Sequence, residues 1–482
     1  MIAQDQRFTL TKDASHDAPV PTPPPSLSSI PFSGSGPRIA LLTPYTGGNF
    51  GDAAIQDSMI ANLRQRLPNA QFSGISLNCE NYLARHGSHA FPLTASSNPY
   101  YGMTPALSSV ALNSEPRNGQ PSSSSSFKAA FRRIPGAHRL ARAIKSRLKG
   151  PRNEFRHWTG GRKFLRSHDL LVICGGGQLD DEWGGPWGHP YALFKWTLLA
   201  KLTGVPCVMT SLGAGKISSP ASRFFLSRAL RLSSVRSYRE ANTRSIAAGL
   251  FSHAANDVVI PDLAFSLPSE EIPQPTSRRH SAQDRRVVAI SPIVFAKPGL
   301  WPSADRDLYH RYLDQLAQAI SQLLARNYSL VFVCSARGDN TVIPELLSRF
   351  DTAAKNALQQ QASFPEISNW KELLATLQAA DFLIASRLHS TIFGFLAQKP
   401  LVALSFDPKV NWVMQDLGQT GSVLQIASFT ASDVVETLAL LESREPQIVQ
   451  RLVAYRQQAL QRSAAHFDTV AQMAVAHAMQ SA

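Results

Sequence analysis

Between Asp381 and Lys409, three side chains have the types and spacing to do chemistry together: Arg387, His389 and Lys409. Arginine offers a fixed fork of donors that matches carboxylates and phosphates, and lysine adds a point cation. Histidine exchanges a proton near neutral pH. Two cations and a general acid suit a substrate that carries anionic groups. The local pattern places them. Asp381 to Ala385 ends as an apolar run, the mark of a buried parallel strand. Thr391 to Gln398 is apolar and free of proline, which predicts a short helix, and Leu401 to Phe406 is a second apolar run. The unit reads strand–helix–strand. Ser386, Arg387, Leu388 and His389 therefore lie where a strand's carboxyl end meets a helix amino end, with Ser390 as the expected N-cap. Helix amino ends present free N–H groups and partial positive charge to anions. A purely structural arrangement, with Arg387 paired to a carboxylate and His389 satisfying a loop carbonyl, explains this segment alone equally well.

Two glycine-rich stretches could approach a ligand. The first follows the strand-like IALLTP and contains Gly48, Asn49 and Gly51 ahead of Asp52. A helix is expected from Asp52 to Leu67, with Ile55, Met59, Leu63 and Leu67 on one face and Asp52 at its favoured acidic start. The spacing is not the dinucleotide fingerprint, and no Walker lysine follows. A tight strand-to-helix turn would use the same residues. The second stretch, Gly175, Gly176 and Gly177, follows the strand-like DLLVIC and suggests a close approach of ligand or backbone. Asp180, Asp181 and Glu182 come next. With no histidine or spaced partner they read as a solvated turn rather than a metal site.

Strands and helices alternate along most of the chain, which predicts parallel sheets covered on both faces. Residues 1–36 are rich in Pro, Ser and Gly and read as a disordered tail. A first domain is expected over 37–267, with a poorly patterned surface insertion at 84–126 and a basic stretch at 127–166. A linker spans 268–286, a second domain 287–430, and terminal helices 431–482. The chain has 482 residues and a formal net charge of +14. Phe127 to Arg166 holds thirteen Lys and Arg against one acid, Glu154, so the charge is a local surface property. Ala137 to Lys149 can form a basic amphipathic helix, the 132–149 cations suit an anionic membrane or plain solvent, and no nucleic-acid motif accompanies them. No apolar run is long enough to span a bilayer, and the amino terminus lacks a secretory pattern. Cys79, Cys174, Cys207 and Cys334 show no metal spacing and read as reduced, buried thiols of a cytoplasmic protein.

With these pieces placed, the chain resembles the polysaccharide pyruvyl transferase family. The resemblance rests on GNFGDAAI (Gly48–Ile55), CGGGQL (Cys174–Leu179), SVRSYRE (Ser234–Glu240), PDLAF (Pro261–Phe265), SRLHSTIF (Ser386–Phe393) and DPKV (Asp407–Val410), in family order. It implies an α/β fold of two Rossmann-like domains in a glycosyltransferase-B-like arrangement, with the site in the cleft. It implies transfer of a pyruvyl group from phosphoenolpyruvate to sugar hydroxyls of a polysaccharide or exopolysaccharide precursor. By this resemblance His389 protonates the donor's methylene carbon, and Asp52 orients or deprotonates the acceptor. Arg387, Lys409 and Arg239 bind the donor, with Gly48, Asn49, Gly51, Gly175, Gly176, Gly177, Ser386 and Ser390 around it. No cofactor beyond the donor and no metal is implied. The partners expected are phosphoenolpyruvate, a saccharide acceptor that a lipid carrier could hold, and an anionic membrane at the inner face. Two rivals remain: a glycosyltransferase using a nucleotide-sugar, and a non-catalytic binder of polyanions or membrane surfaces. Fold alone does not separate the first from the transferase.

Overall fold

Short apolar runs alternating with amphipathic helices have few packing solutions, and the chain adopts the parallel one. The computed structural model describes residues 36–95, 137–182, 184–273, 285–301 and 303–481; for residues 137–149 it describes the backbone alone. Strands β1 (Arg38–Leu42), β2 (Gln71–Ser76), β3 (Ala90–Pro92), β4 (Leu170–Leu179), β5 (Cys207–Ala214), β6 (Val235–Tyr238) and β7 (Val258–Val259) form one sheet. Its order is β3-β2-β1-β4-β5-β6-β7. Strands β8 (Val287–Ser291), β9 (Ser329–Phe332), β10 (Ala362–Ser363), β11 (Phe382–Ala385), β12 (Leu401–Ser405) and β13 (Val423–Gln425) form the second, ordered β10-β9-β8-β11-β12-β13. Neighbouring strands run parallel in both. The strand order reverses between β1 and β4 in one sheet and between β8 and β11 in the other. Those reversals are switch points, and their carboxyl ends hold ligands in open sheets. The glycine stretches follow β1 and line β4, and Ser386–His389 follow β11.

Each switch point is pinned in the same way. Asp169, just before β4, accepts the Arg38 backbone N–H at 2.7 Å and returns its own N–H to the Arg38 carbonyl, also at 2.7 Å. Asp381, just before β11, does the same with Val287, at 2.7 and 2.8 Å. A one-residue slip would break these bonds and exchange the two buried faces of the strand, so that every side chain would meet the wrong neighbours. The pins fix the register that carries the two loops to one level.

Several local expectations shift. The first helix runs Phe50–Arg66 rather than from Asp52: Asn49 is its N-cap and its side chain accepts the Gly51 N–H at 3.0 Å. Asp52 sits inside the first turn. The helix expected at Thr391 begins earlier, at Leu388–Leu396, with Arg387 at the cap position and no side-chain cap bond. Ser390 is therefore not the cap. Its hydroxyl joins those of Ser335 at 2.8 Å and Ser291 at 2.7 Å in a buried chain that ties the helix to its sheet. The strand expected to stop at Cys174 continues to Leu179, so the three glycines lie within β4. Asp181 is no solvated turn residue: it is buried and accepts the backbone N–H groups of Ser218 and Ser219. Inside the expected insertion, Ala90–Pro92 is an ordered edge strand on β2, while residues 96–126 lie outside the described residues. Cys79 is only half buried, and the other three thiols are buried as expected.

The halves are joined through shared core rather than through a loose hinge. Tyr45, Phe50, Ala53 and Ala54 belong to the same apolar cluster as β8, β11 and β12. Trp370 donates its indole N–H to Asp57 at 2.7 Å across the junction. The last helix, Glu445–Ser481, returns from the second half to the first. There Asp468 pairs with Arg66 at 2.5 Å, and the His466 ring meets Thr210 at 3.1 Å. No described helix is long and apolar enough to cross a membrane.

Candidate active site

The loop after β1 meets the start of the Leu388–Leu396 helix directly. The Phe50 N–H donates to the Ser335 carbonyl at 2.9 Å, and the Arg337 N–H donates to the Gly48 carbonyl at 2.9 Å. These two bonds, with the Asn49–Ala336 bridge, stitch the first glycine stretch to the second half. Gly51 then lies flat against the His389 imidazole: a β-carbon there would stand 1.9 Å from His389 Cγ. Only glycine permits that approach. Gly176 has φ of +76°, a left-handed conformation that glycine adopts without strain, and a β-carbon on it would stand 3.6 Å from Asp52 Oδ1. The loop after β1, the glycines of β4 and the loop after β11 thus converge on Asp52 and His389.

Four charged groups surround His389. Its Nε2 is buried, has no hydrogen-bond partner among the described residues, and stands 3.9 Å from Asp262 Oδ2. Asp262 is buried just after β7, where its other oxygen accepts the Ala264 N–H at 3.0 Å. Arg239, also buried, donates from Nε to Glu240 at 2.7 Å and from Nη1 to Asp262 at 3.2 Å. Two of its three nitrogens are therefore engaged, and Nη2 has no partner among the described residues. Arg387 pairs through Nε and Nη2 with both oxygens of fully buried Asp339, the Nη2 bond being 2.9 Å. The pairing carboxylate allowed for in the sequence is present. Arg387 nevertheless keeps part of its surface open, with a side-chain exposure of 28%.

Electrostatics follow from this packing. Burial pushes the His389 imidazole below its ordinary value, Asp262 and then Asp52 oppose that shift, and Arg239 and Arg387 reinforce it. Burial thus favours the neutral imidazole. Burial likewise raises the Asp52 carboxyl, with His389 pulling it back most and Asp262 raising it further. A second charged group lies at the ends of β4 and β12. Lys409 Nζ stands 3.7 Å from Asp180 and 3.6 Å from Asp407, and a β-carbon on Gly177 would stand 3.5 Å from it. Burial raises the Asp180 carboxyl to about 6 against the pull of Lys409.

Gly48, Asn49, Gly51, Asp52, Gly176 and His389 are thus brought together, and Gly177 meets Lys409. Gly175 packs on Ile55 and Leu263, and Ser386 is buried at the end of β11. Ser390 faces the serine chain, not the cleft. Asp262, Asp339, Asp180 and Glu240 were not expected at the site. The signal for Asp262 was present in PDLAF, an acid directly after an apolar run. Asp339 had no such signal, since its pairing with Arg387 is made only by the tertiary fold.

A family model described as polysaccharide pyruvyl transferase matches residues 49–408. No curated protein matches the chain in sequence. Among solved structures, a UDP-glucose:anthocyanidin 3-O-glucosyltransferase in complex with UDP aligns at TM-score 0.51 and 11% identity, over 92% of this chain and 100% of that one. A UDP-GlcNAc 2-epimerase from Methanocaldococcus jannaschii aligns at TM-score 0.49 and 8% identity, over 83% and 92%. The first likeness shows the fold, two Rossmann-like halves in the glycosyltransferase-B arrangement.

Proposed function

The chain belongs to the polysaccharide pyruvyl transferase family, and from that premise we propose that it moves a pyruvyl group from phosphoenolpyruvate to two hydroxyls of a sugar, forming a pyruvate ketal. One observation carries the reading. A buried, unpartnered histidine nitrogen sits among two carboxylates and two guanidiniums where both switch points meet. That arrangement supports an anionic substrate and a proton delivered beside it.

The donor's carboxylate and phosphate take the free edge of Arg387, the unpartnered Nη2 of Arg239 and the Lys409 ammonium, with the N–H groups opening the Leu388–Leu396 helix adding positive potential. His389 gives its proton to the methylene carbon, which leaves the central carbon electron-poor. A sugar hydroxyl attacks that carbon and loses its proton. The carbon–oxygen bond to phosphate breaks, and a second hydroxyl closes the ketal as its proton leaves. Burial raises both the Asp52 and the Asp180 carboxyl, the latter to about 6, which makes them better bases for hydroxyl protons than ordinary carboxylates. Asp262 stands beside the imidazole Nε2, and Arg239 donates to Asp262.

The donor is tested by supplying phosphoenolpyruvate labelled in its three carbons, or labelled UDP-sugars, to the protein with an oligosaccharide acceptor. Label from phosphoenolpyruvate should appear in the saccharide with one phosphate released per ketal. Transfer of sugar label with release of UDP, and none from phosphoenolpyruvate, would make the protein a glycosyltransferase instead.

A further inference from the structure

The membrane contact expected of residues 132–149 falls on side chains outside the described residues. A different surface carries a membrane argument of its own. One face of the first sheet buries Ala40, Leu42, Leu171, Ile173 and Met209 against Leu193, Trp196, Leu226 and Leu230. Three neighbouring helices cover it: Ala137–Leu165, His189–Thr203 and Pro220–Leu232. Their outward side is unusual in two respects.

The first is charge. Arg152, Arg156, Lys201, Arg223, Arg228 and Arg231 are all exposed. Across the described parts of these helices the one acid is Glu154, and it is engaged by Lys195 at 2.8 Å and by the Tyr191 hydroxyl at 3.0 Å. Among the described residues of these helices no exposed carboxylate offsets the cations, and the nearby loop that carries Trp187 contributes one exposed acid, Glu182. The second is apolar exposure. Phe155 is 69% exposed, Leu202 57%, Phe224 52% and Trp187 49%. Trp187 and Phe224 rest on one aromatic cluster, with Phe225 at 5.3 and 5.6 Å from their rings and Phe194 stacked on Phe225 at 5.5 Å. Arg228 lies over Phe224, 5.3 Å from its centre. Tyr191 joins the cluster to the first helix by accepting the Trp158 indole N–H at 3.1 Å.

We propose that this three-helix face docks on an anionic lipid bilayer. Cations alone would suit any polyanion. Exposed Trp, Phe and Leu set among cations match a bilayer interface, where aromatic rings sit at headgroup level and basic side chains meet anionic headgroups. A rigid, prepacked aromatic cluster loses little entropy on entering that layer. The inference stands whether or not phosphoenolpyruvate is the donor, because none of these residues belongs to the site around His389.

Flotation of the full chain with vesicles tests it, using phosphatidylcholine alone and phosphatidylcholine mixed with phosphatidylglycerol. The chain should float with the mixed vesicles at low salt and little with the neutral ones. Arg223→Glu/Arg228→Glu should lower the bound fraction at least about tenfold. Trp187→Ala/Phe224→Ala should remove the binding that survives high salt, where charge is screened. Both variants should stay folded, as read by circular dichroism, and keep turnover of a water-soluble acceptor. Equal flotation with neutral vesicles, no flotation, or flotation unchanged in both variants would each overturn the proposal. So would tighter binding to dextran sulfate than to mixed vesicles with no dependence on Trp187 and Phe224, which would make the face a polyanion site.

Discussion

His389→Ala is expected to slow ketal formation by at least about 100-fold, the usual scale for a lost general acid, while phosphoenolpyruvate still binds. Protonating carbon is harder than protonating oxygen, so the acid must be held in place and charged when the donor is present. Burial favours the neutral imidazole before an anion binds. A bound anion favours the imidazolium, since nearby negative charge stabilises the cation. Donor binding near pH 7 should therefore take up a proton. Calorimetry in two buffers of different ionisation enthalpy reads that uptake, and it should disappear in His389→Ala. Turnover near the wild-type value in this variant would mean that another group supplies the proton.

Gly51→Ala is expected to cost a comparable factor without removing any charged or polar group. The added β-carbon would stand 1.9 Å from His389 Cγ, so the ring must move. A displacement of that size at a reacting group costs on the order of 100-fold. Because the loss acts through His389, the double variant Gly51→Ala/His389→Ala should be no slower than His389→Ala alone, a strong departure from additivity. Gly421→Ala is the matched control, since a β-carbon there meets nothing within 4 Å. Additive losses in the double variant would show that Gly51 serves the backbone and not the histidine.

Much of this site was legible in the sequence for a physical reason. Parallel strands buried on both faces are written as apolar runs, and their carboxyl ends are where ligands sit. That rule singled out Arg387, His389 and the glycine stretches as candidates, while the role of Asp52 came from the family resemblance. Helix boundaries were less legible. Ser390 looked like a cap because serine favours that place, yet its hydroxyl is drawn to Ser291 and Ser335, which lie far away in the chain. Gly175 to Gly177 looked like a loop because glycine is rare within strands, whereas here β4 continues through them and Gly176 faces Asp52. The carboxylates that set the charge of the cleft were the hardest to see. Asp339 is 48 residues from Arg387, and Asp262 meets Arg239 at the edge of the first sheet but His389 only once both sheets have formed. The return of the last helix to the first sheet brings His466 to Thr210, 256 residues away, and no local pattern encodes such a contact.

The central claim is that a donor carbon is protonated inside this cleft and then joined to a sugar. Running the reaction with phosphoenolpyruvate and acceptor in deuterium oxide, and weighing the ketal by mass spectrometry, reads that step directly. His389 exchanges its proton with solvent, so each ketal methyl should carry one deuterium. A ketal methyl free of deuterium, or a product with no ketal at all, would contradict the account.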